Sequence, residues 1–88
     1  MTKGVWKATL LLVDGPQPVD MPDGAHVVHV GEQNGYPTLW FEVDAERRIV
    51  PRRFGVYGTG HLIPASATHV GSYVTPPFVW HIYECEAG

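Results

Sequence analysis

Residues 26–43, HVVHVGEQNGYPTLWFEV, decide the fold, because they place an Asn34-Gly35 pair between two alternating apolar runs. The runs at 26–30 and 38–43 repeat every second residue, which is the period of a half-buried strand. Asn-Gly suits a two-residue hairpin turn, since both residues tolerate positive φ. The stretch therefore predicts a β-hairpin.

The second arm of this hairpin also predicts part of the core. Alternate side chains of a strand point to opposite faces, so Leu39, Phe41 and Val43 share one face and Trp40 and Glu42 share the other. We expect the three apolar side chains to point into the protein.

Before the hairpin, residues 5–13 predict a first strand that stops at Asp14-Gly15-Pro16, and a short edge strand is expected around Val19. After it, a strand is expected to end at Gly58. Residues 62–68 predict a loop or at most one helical turn.

Two further strands are expected at residues 70–75 and 78–85, joined through Pro76-Pro77. The last strand is apolar on both faces and therefore has to be covered on both sides. Together these patterns predict a single all-β domain over residues 1–88. We expect a small antiparallel barrel or sandwich of five to six strands with little helix.

Composition supports a small folded domain. Of the 88 residues, 44% are hydrophobic and 17% charged, which excludes intrinsic disorder, and ten Gly plus eight Pro interrupt the chain too often for a helical bundle. The formal charge of -3 provides no general attraction to nucleic acid or to an anionic membrane. No cofactor is expected.

Two absences predict the location of the protein: that of a signal peptide or membrane span, and that of an internal disulfide. The apolar run from Ala8 to Val13 is too short for a signal peptide or a membrane span. Cys85 is the single cysteine, so the chain cannot form an internal disulfide, which fits a reducing compartment. We expect a cytoplasmic protein, and because so small a core has no crosslink, we expect association with a partner or with itself.

Aromatic residues recur on the strand faces that are expected to point outward: Trp40, Tyr57, Tyr73 and Tyr83. Such a patch is typical of an interface. The alternative is that a closed barrel with a covering loop buries some of these rings.

Residues 47–61 carry four of the six cationic side chains, two aromatic residues and a Gly-Thr-Gly turn that ends in His61. Guanidinium groups, glycine backbone amides and a hydroxyl are the groups that hold phosphate. Three interpretations stay open for this segment: an anion or nucleotide site, arginines at a protein interface, and a solvated strand edge whose arginines prevent aggregation.

Metal binding and catalysis have little support in the sequence. His26 and His29 are three residues apart on a predicted strand and should point to opposite faces, while His81 and Cys85 share a face but lie about 13 Å apart. Two glutamates flank Cys85 and disfavour its thiolate. We expect no metal site and no enzymatic activity.

The order of the motifs resembles a family of small uncharacterised proteins of tailed bacteriophages and prophages. The resemblance runs over nearly the whole chain, and its motifs are Trp6-Lys7, Met21-Pro22-Asp23-Gly24-Ala25, Gln33-Asn34-Gly35, Leu39-Trp40, Arg52-Arg53-Phe54 and Tyr57-Gly58-Thr59-Gly60-His61. It implies a phage origin and action in the bacterial cytoplasm. It carries no activity and no catalytic residues, and residues 47–51 and 61–64 depart locally from the family pattern.

These observations lead to one leading hypothesis and two alternatives. The leading hypothesis is a phage accessory protein that binds a bacterial host protein or itself through Trp40, Arg52, Arg53 and Tyr57, since aromatic and arginine side chains anchor interfaces. The first alternative is a protein that sequesters a phosphate-bearing small molecule, using the two arginines with Thr59 and His61 in the 58–61 turn. The second is a structural subunit that only forms a homo-oligomer.

Overall fold

The computed structural model describes residues 2–86, which form seven strands in two antiparallel sheets. The strands are β1 (Lys3–Thr9), β2 (Gln17–Pro22), β3 (His26–Gln33), β4 (Tyr36–Asp44), β5 (Ile49–Gly58), β6 (Thr68–Thr75) and β7 (Phe78–Cys85). One sheet has the order β1-β4-β3 and the other β2-β5-β7-β6. The predicted all-β class and the sandwich are confirmed, with seven strands instead of five or six.

The prediction of a barrel is not confirmed, because within residues 2–86 the two sheets do not join into a closed ring. The end strands of the sheets, β1, β3, β2 and β6, each pair with a single neighbour, and β3 and β6 pack next to each other at one side. Residues 2–86 form no helix, and so none that is long and apolar enough to cross a membrane.

The predicted hairpin is β3 and β4. Asn34 and Gly35 adopt φ values of 54° and 83°, as the two central residues of such a turn require. Leu39, Phe41 and Val43 are buried, which confirms the predicted face.

The first strand ends at Thr9, so the prediction that it extends to Val13 is wrong. The Leu10 N–H donates to the Pro37 carbonyl at 2.7 Å, but proline has no N–H to return the bond, and the ladder stops there. The side-chain amide of Gln17 then pairs with both the N–H and the carbonyl of Leu11, at 2.8 and 2.9 Å.

A β-bulge at Val28 changes the orientation of the histidines in β3. His26 pairs with Glu42 and His29 with Trp40, so both histidines lie on the outer face of the three-stranded sheet. The expectation that they point to opposite faces is therefore wrong, because the bulge adds a residue and shifts the alternation. Within residues 2–86, no group of three or more histidine, cysteine or acidic side chains is arranged to hold a metal ion.

The core lies between the facing sides of the two sheets. Its ten buried members come from both sheets and from two connections: Leu10, Val19, Met21, Ala25, Val30, Leu39, Phe41, Val43, Phe54 and Ile82. Strands β5 and β6 are both antiparallel to β7 and hence parallel to each other. The connection at residues 59–67 must therefore run back along the length of the sheet.

Candidate functional site

The six residues predicted to form a site lie on different parts of the sandwich. Trp40 is on the outer face of the three-stranded sheet, and Arg53 and Tyr57 are on the outer face of the four-stranded sheet. Arg52 points to the opposite side of β5, and Thr59 and His61 lie in the turn that follows this strand. Of the six, only Tyr57, Thr59 and His61 lie near one another. They line two grooves, and His61 lines both of them.

Trp40 is half-buried and packs within its own sheet. Its ring lies 5.2 Å from the imidazole of His29, and both rings lean over Gly31. Across β1, Lys7 is opposite Trp40 and donates to the side chain of Gln33. Trp40 is thus part of a small cluster on that face, away from Tyr57.

Arg52 is bound within the protein. Its Nε and Nη2 donate to the two carboxylate oxygens of Glu84 at 2.7 and 2.8 Å, and Nη1 donates to the carbonyl of Ala25 at 2.6 Å. The hydrogen bond with Glu84 raises the pKa of Arg52 above its ordinary value. The two side chains line a cleft of about 230 Å³ with His26 and His69, and the positive charge there is already balanced.

Arg53 also has a partner in the chain. Its Nη1 donates to the carbonyl of Glu86 at 2.8 Å, which connects β5 to the residue after β7. The two neighbouring arginines therefore point to opposite faces and do not form a joint cationic site.

Tyr57 is only 8% exposed, so the expectation that it forms part of an outer aromatic patch is wrong. Its ring lies over Gly55, and its hydroxyl contacts the buried Sγ of Cys85 at 3.6 Å. Burial, with the hydrogen bond to Cys85, raises the pKa of Tyr57 to about 12. Tyr57 lines one groove with Leu62 and Pro64 of the 59–67 connection.

The remaining two aromatic residues of the expected patch also separate. Tyr73 packs against the core, and this burial raises its pKa, so its assignment to the outer face is wrong. Tyr83 stays on the outer face, half-buried between the rings of Tyr57 and His69 at 6.0 and 5.1 Å.

A chain of hydrogen bonds that the sequence did not reveal crosses the outer face of the four-stranded sheet. Thr59 Oγ1 lies 2.9 Å from Nε2 of His81, whose Nδ1 lies 2.8 Å from Ser72 Oγ, which in turn lies 2.9 Å from Nε2 of His69. The register of β6 on β7 and the bulge after His69 create this arrangement. The chain contains no carboxylate to orient an imidazole, so it lacks one part of a hydrolytic triad.

The 58–61 turn is closed by its own hydrogen bonds. The Gly58 N–H donates to Nδ1 of His61, and the His61 N–H donates to the Gly58 carbonyl, both at 3.1 Å. Gly60 has a φ of 91°, which glycine adopts without strain. The turn therefore presents the His61 side chain at the end of the sandwich and keeps the Gly58 amide occupied.

Three adjoining grooves meet at His61. Their volumes are about 520, 500 and 130 Å³. We call the apolar residues around them, together with His61, the His61 surface: Leu12, Val13, Val56, His61, Leu62, Phe78 and Trp80. Leu62 is 95% exposed and Phe78 56%, so a large part of this apolar surface faces solvent.

The chain matches, over residues 1–88, the model of a family described as a domain of unknown function, DUF7352. It belongs to this family. No curated protein and no solved structure matches the chain. The resemblance to phage proteins stays a prediction.

In this DUF7352 chain, the pattern of β7 explains why the His61 surface is apolar. Phe78 and Trp80 lie on the same face as the buried Ile82, and their rings stack at 5.7 Å, yet Phe78 is exposed and Trp80 half-exposed. The core-facing side of the four-stranded sheet thus continues beyond the part that the chain itself covers. The doubly apolar pattern of β7 indicated that a cover is needed, but not which end of the strand lacks it.

Proposed function

We propose that the protein acts by binding another protein through the His61 surface. The observation that carries the proposal is the exposure of Leu62 and Phe78 beside three grooves that meet at His61. Exposed apolar patches on small soluble domains mark interaction sites, because burying them removes apolar area from water. The class of function is the predicted one, binding without turnover.

The electrostatic character of the surface also favours a protein partner. Among the described residues that line the three grooves, Asp14 is the one acidic side chain, and no lysine or arginine lines them. Interface centres are depleted in charged residues and enriched in aromatic ones. The aromatic residues of this surface are Phe78 and Trp80. The partner expected from the sequence is a bacterial host protein or a second copy of this chain, and both fit this proposal.

The proposal moves the predicted contact surface along the molecule. Tyr57, Thr59 and His61 line the grooves and are retained. Trp40 lies on the other sheet, and Arg52 and Arg53 are bound to Glu84 and to the Glu86 carbonyl. These three remain expected contacts only for a partner large enough to extend beyond the His61 surface.

A phosphate-bearing ligand has less support as the occupant. The groups predicted to hold phosphate already have partners in the chain: the Arg52 guanidinium binds Glu84, the Gly58 amide binds His61, and the Thr59 hydroxyl binds His81. We expect a thermal-shift screen with nucleotides to give no stabilisation. A nucleotide that did bind would, at about 100 times its dissociation constant, add about 2.7 kcal/mol to the free energy of unfolding.

Site-specific photo-crosslinking in the bacterial host tests the proposal. A photoreactive residue at Leu62 should give a discrete protein adduct, whereas one at Ile49, a similarly apolar exposed position outside the grooves, should give none. With the photoreactive residue at Leu12, Leu62→Asp should remove the adduct and Ile49→Asp should leave it.

The crosslinking experiment has two outcomes that would contradict the proposal. One is the absence of an adduct at Leu62 and at Leu12. The other is the same adducts at Ile49 as at Leu62, because nonspecific capture does not depend on position.

A further inference from the structure

We infer that the partner at the His61 surface is a second copy of this chain, related to the first by a two-fold axis. The inference rests on the proposed function and specifies its partner. Three observations carry it: the shape of the surface, the accessible area of the isolated chain, and the composition of the free sheet edges.

The His61 surface contains both a projecting and a receding part. In a two-fold contact the same patch meets its own copy, so it must contain both a projecting and a receding part. Leu62 projects, at 95% exposure, and next to it lies the groove of about 500 Å³ that Phe78, Trp80 and His61 line. A two-fold axis near His61 places Leu62 of each copy in that groove of the other copy.

The isolated chain exposes more surface than a compact monomer of its mass. Its accessible surface is 5590 Å² for 9.7 kDa, whereas a monomeric protein of that mass exposes about 5,100 Å². Its radius of gyration is 12.9 Å, compared with about 12 Å for a compact domain of this length. The difference, about 500 Å², is smaller than the area of about 800 Å² that one partner of a stable dimer buries, so it corresponds to only part of such a contact.

The free sheet edges favour this end-on contact over strand pairing. Lys3 and Lys7 lie on the edge strand β1, and Pro18 and Pro22 lie on the edge strand β2. Lysine and proline are the residues that protect edges against pairing with another chain. No lysine or arginine is among the described residues that line the grooves of the His61 surface.

Light scattering on the purified full-length chain tests the inference. We expect a mass of twice 9.7 kDa at high micromolar concentration and a shift toward the monomer on dilution. Leu62→Asp should give a monomer with an unchanged circular-dichroism spectrum, because Leu62 is outside the core. Ile49→Asp, at an exposed position outside the grooves, should leave the dimer intact.

Intermolecular disulfides test the geometry. A Leu62→Cys chain mixed with a Phe78→Cys chain should form a mixed disulfide, and a Leu62→Cys chain mixed with an Ile49→Cys chain should not. A monomer at every concentration, or a dimer that Leu62→Asp does not affect, would overturn the inference.

The two proposals fail in different ways. A monomeric protein that still gives a Leu62 adduct with another protein in the host overturns the second copy as partner and leaves the proposed function. A monomeric protein without any adduct overturns both.

Discussion

The ring of Tyr57 lies over Gly55 in β5. A Cβ on Gly55 would come within 2.5 Å of the Tyr57 hydroxyl and 2.6 Å of its Cε2, distances that side chains do not tolerate. Glycine in a strand is usually unfavourable, but a neighbouring aromatic ring covers the exposed backbone and offsets the cost. Gly55 thus lets Tyr57 fold onto the sheet and reach Cys85.

Gly55→Ala should lower the free energy of unfolding by about 1–3 kcal/mol, because the added methyl overpacks the site. Urea denaturation measures the change. Gly4→Ala is the matched control, since a Cβ there would meet only Val43, at 4.0 Å, and should change the stability little. In a Tyr57→Leu background the Gly55→Ala penalty should shrink, and an undiminished penalty would contradict the contact.

Tyr57 should make the protein sensitive to alkaline pH. The pKa of Tyr57 is about 12 in the folded state, against an ordinary value of 10.0. The neutral hydroxyl is the form that the fold prefers, so this stability is fully present below pH 10 and is lost as the pH rises through 12.

Tyr57→Phe should therefore weaken the alkaline loss of stability, which urea denaturation at several pH values measures. Some dependence should remain, because burial also raises the pKa of Tyr73. Equal slopes in the wild type and in Tyr57→Phe would show that the Tyr57 hydroxyl is not buried.

The Arg52–Glu84 pair should contribute measurably to stability. It is bidentate, at 2.7 and 2.8 Å, and both side chains are less than one-third exposed. Glu84→Gln should cost about 1 kcal/mol in urea denaturation. Lys3→Met is the control, because the Lys3–Glu42 pair is more exposed and should contribute at most about 0.5 kcal/mol. Equal effects of the two substitutions would contradict this ranking.

Gly71 should be required where the two sheets approach. It follows the bulge in β6, and a Cβ there would overlap the Cγ2 of the buried Val30 in β3. Gly71→Ala should destabilise the protein by about 1–3 kcal/mol, and adding Val30→Ala should recover part of that loss because it removes the overlapping methyl groups. Additive penalties, measured by thermal or urea denaturation, would mean that the two sites do not touch.

Several elements of the fold followed from local patterns. The Asn34-Gly35 turn and the alternation in β4 predicted the hairpin and the burial of Leu39, Phe41 and Val43. The end of β5 at Gly58 and the β7 strand were also predicted, because turn residues and apolar periods act between close neighbours in the chain. The first strand was overestimated because its end depends on Pro37, a residue of its partner strand.

The candidate site was less predictable because it, too, depends on residues that are distant in sequence. His61, Thr59 and Tyr57 were selected from a local motif and do line the grooves, but Leu62 and Phe78 were not selected. The exposure of Phe78 depends on where the opposite sheet stops, which the pattern within one strand does not contain.

Local sequence therefore determined the strands, the hairpin turn and the face of β4 that enters the core. Tertiary structure alone decided that Tyr57 is covered, that Arg52 is neutralised by Glu84 and that the apolar face of β7 stays open around Phe78. Periodicity reflects contacts between near neighbours, whereas these three outcomes depend on the pairing and packing of strands distant in sequence.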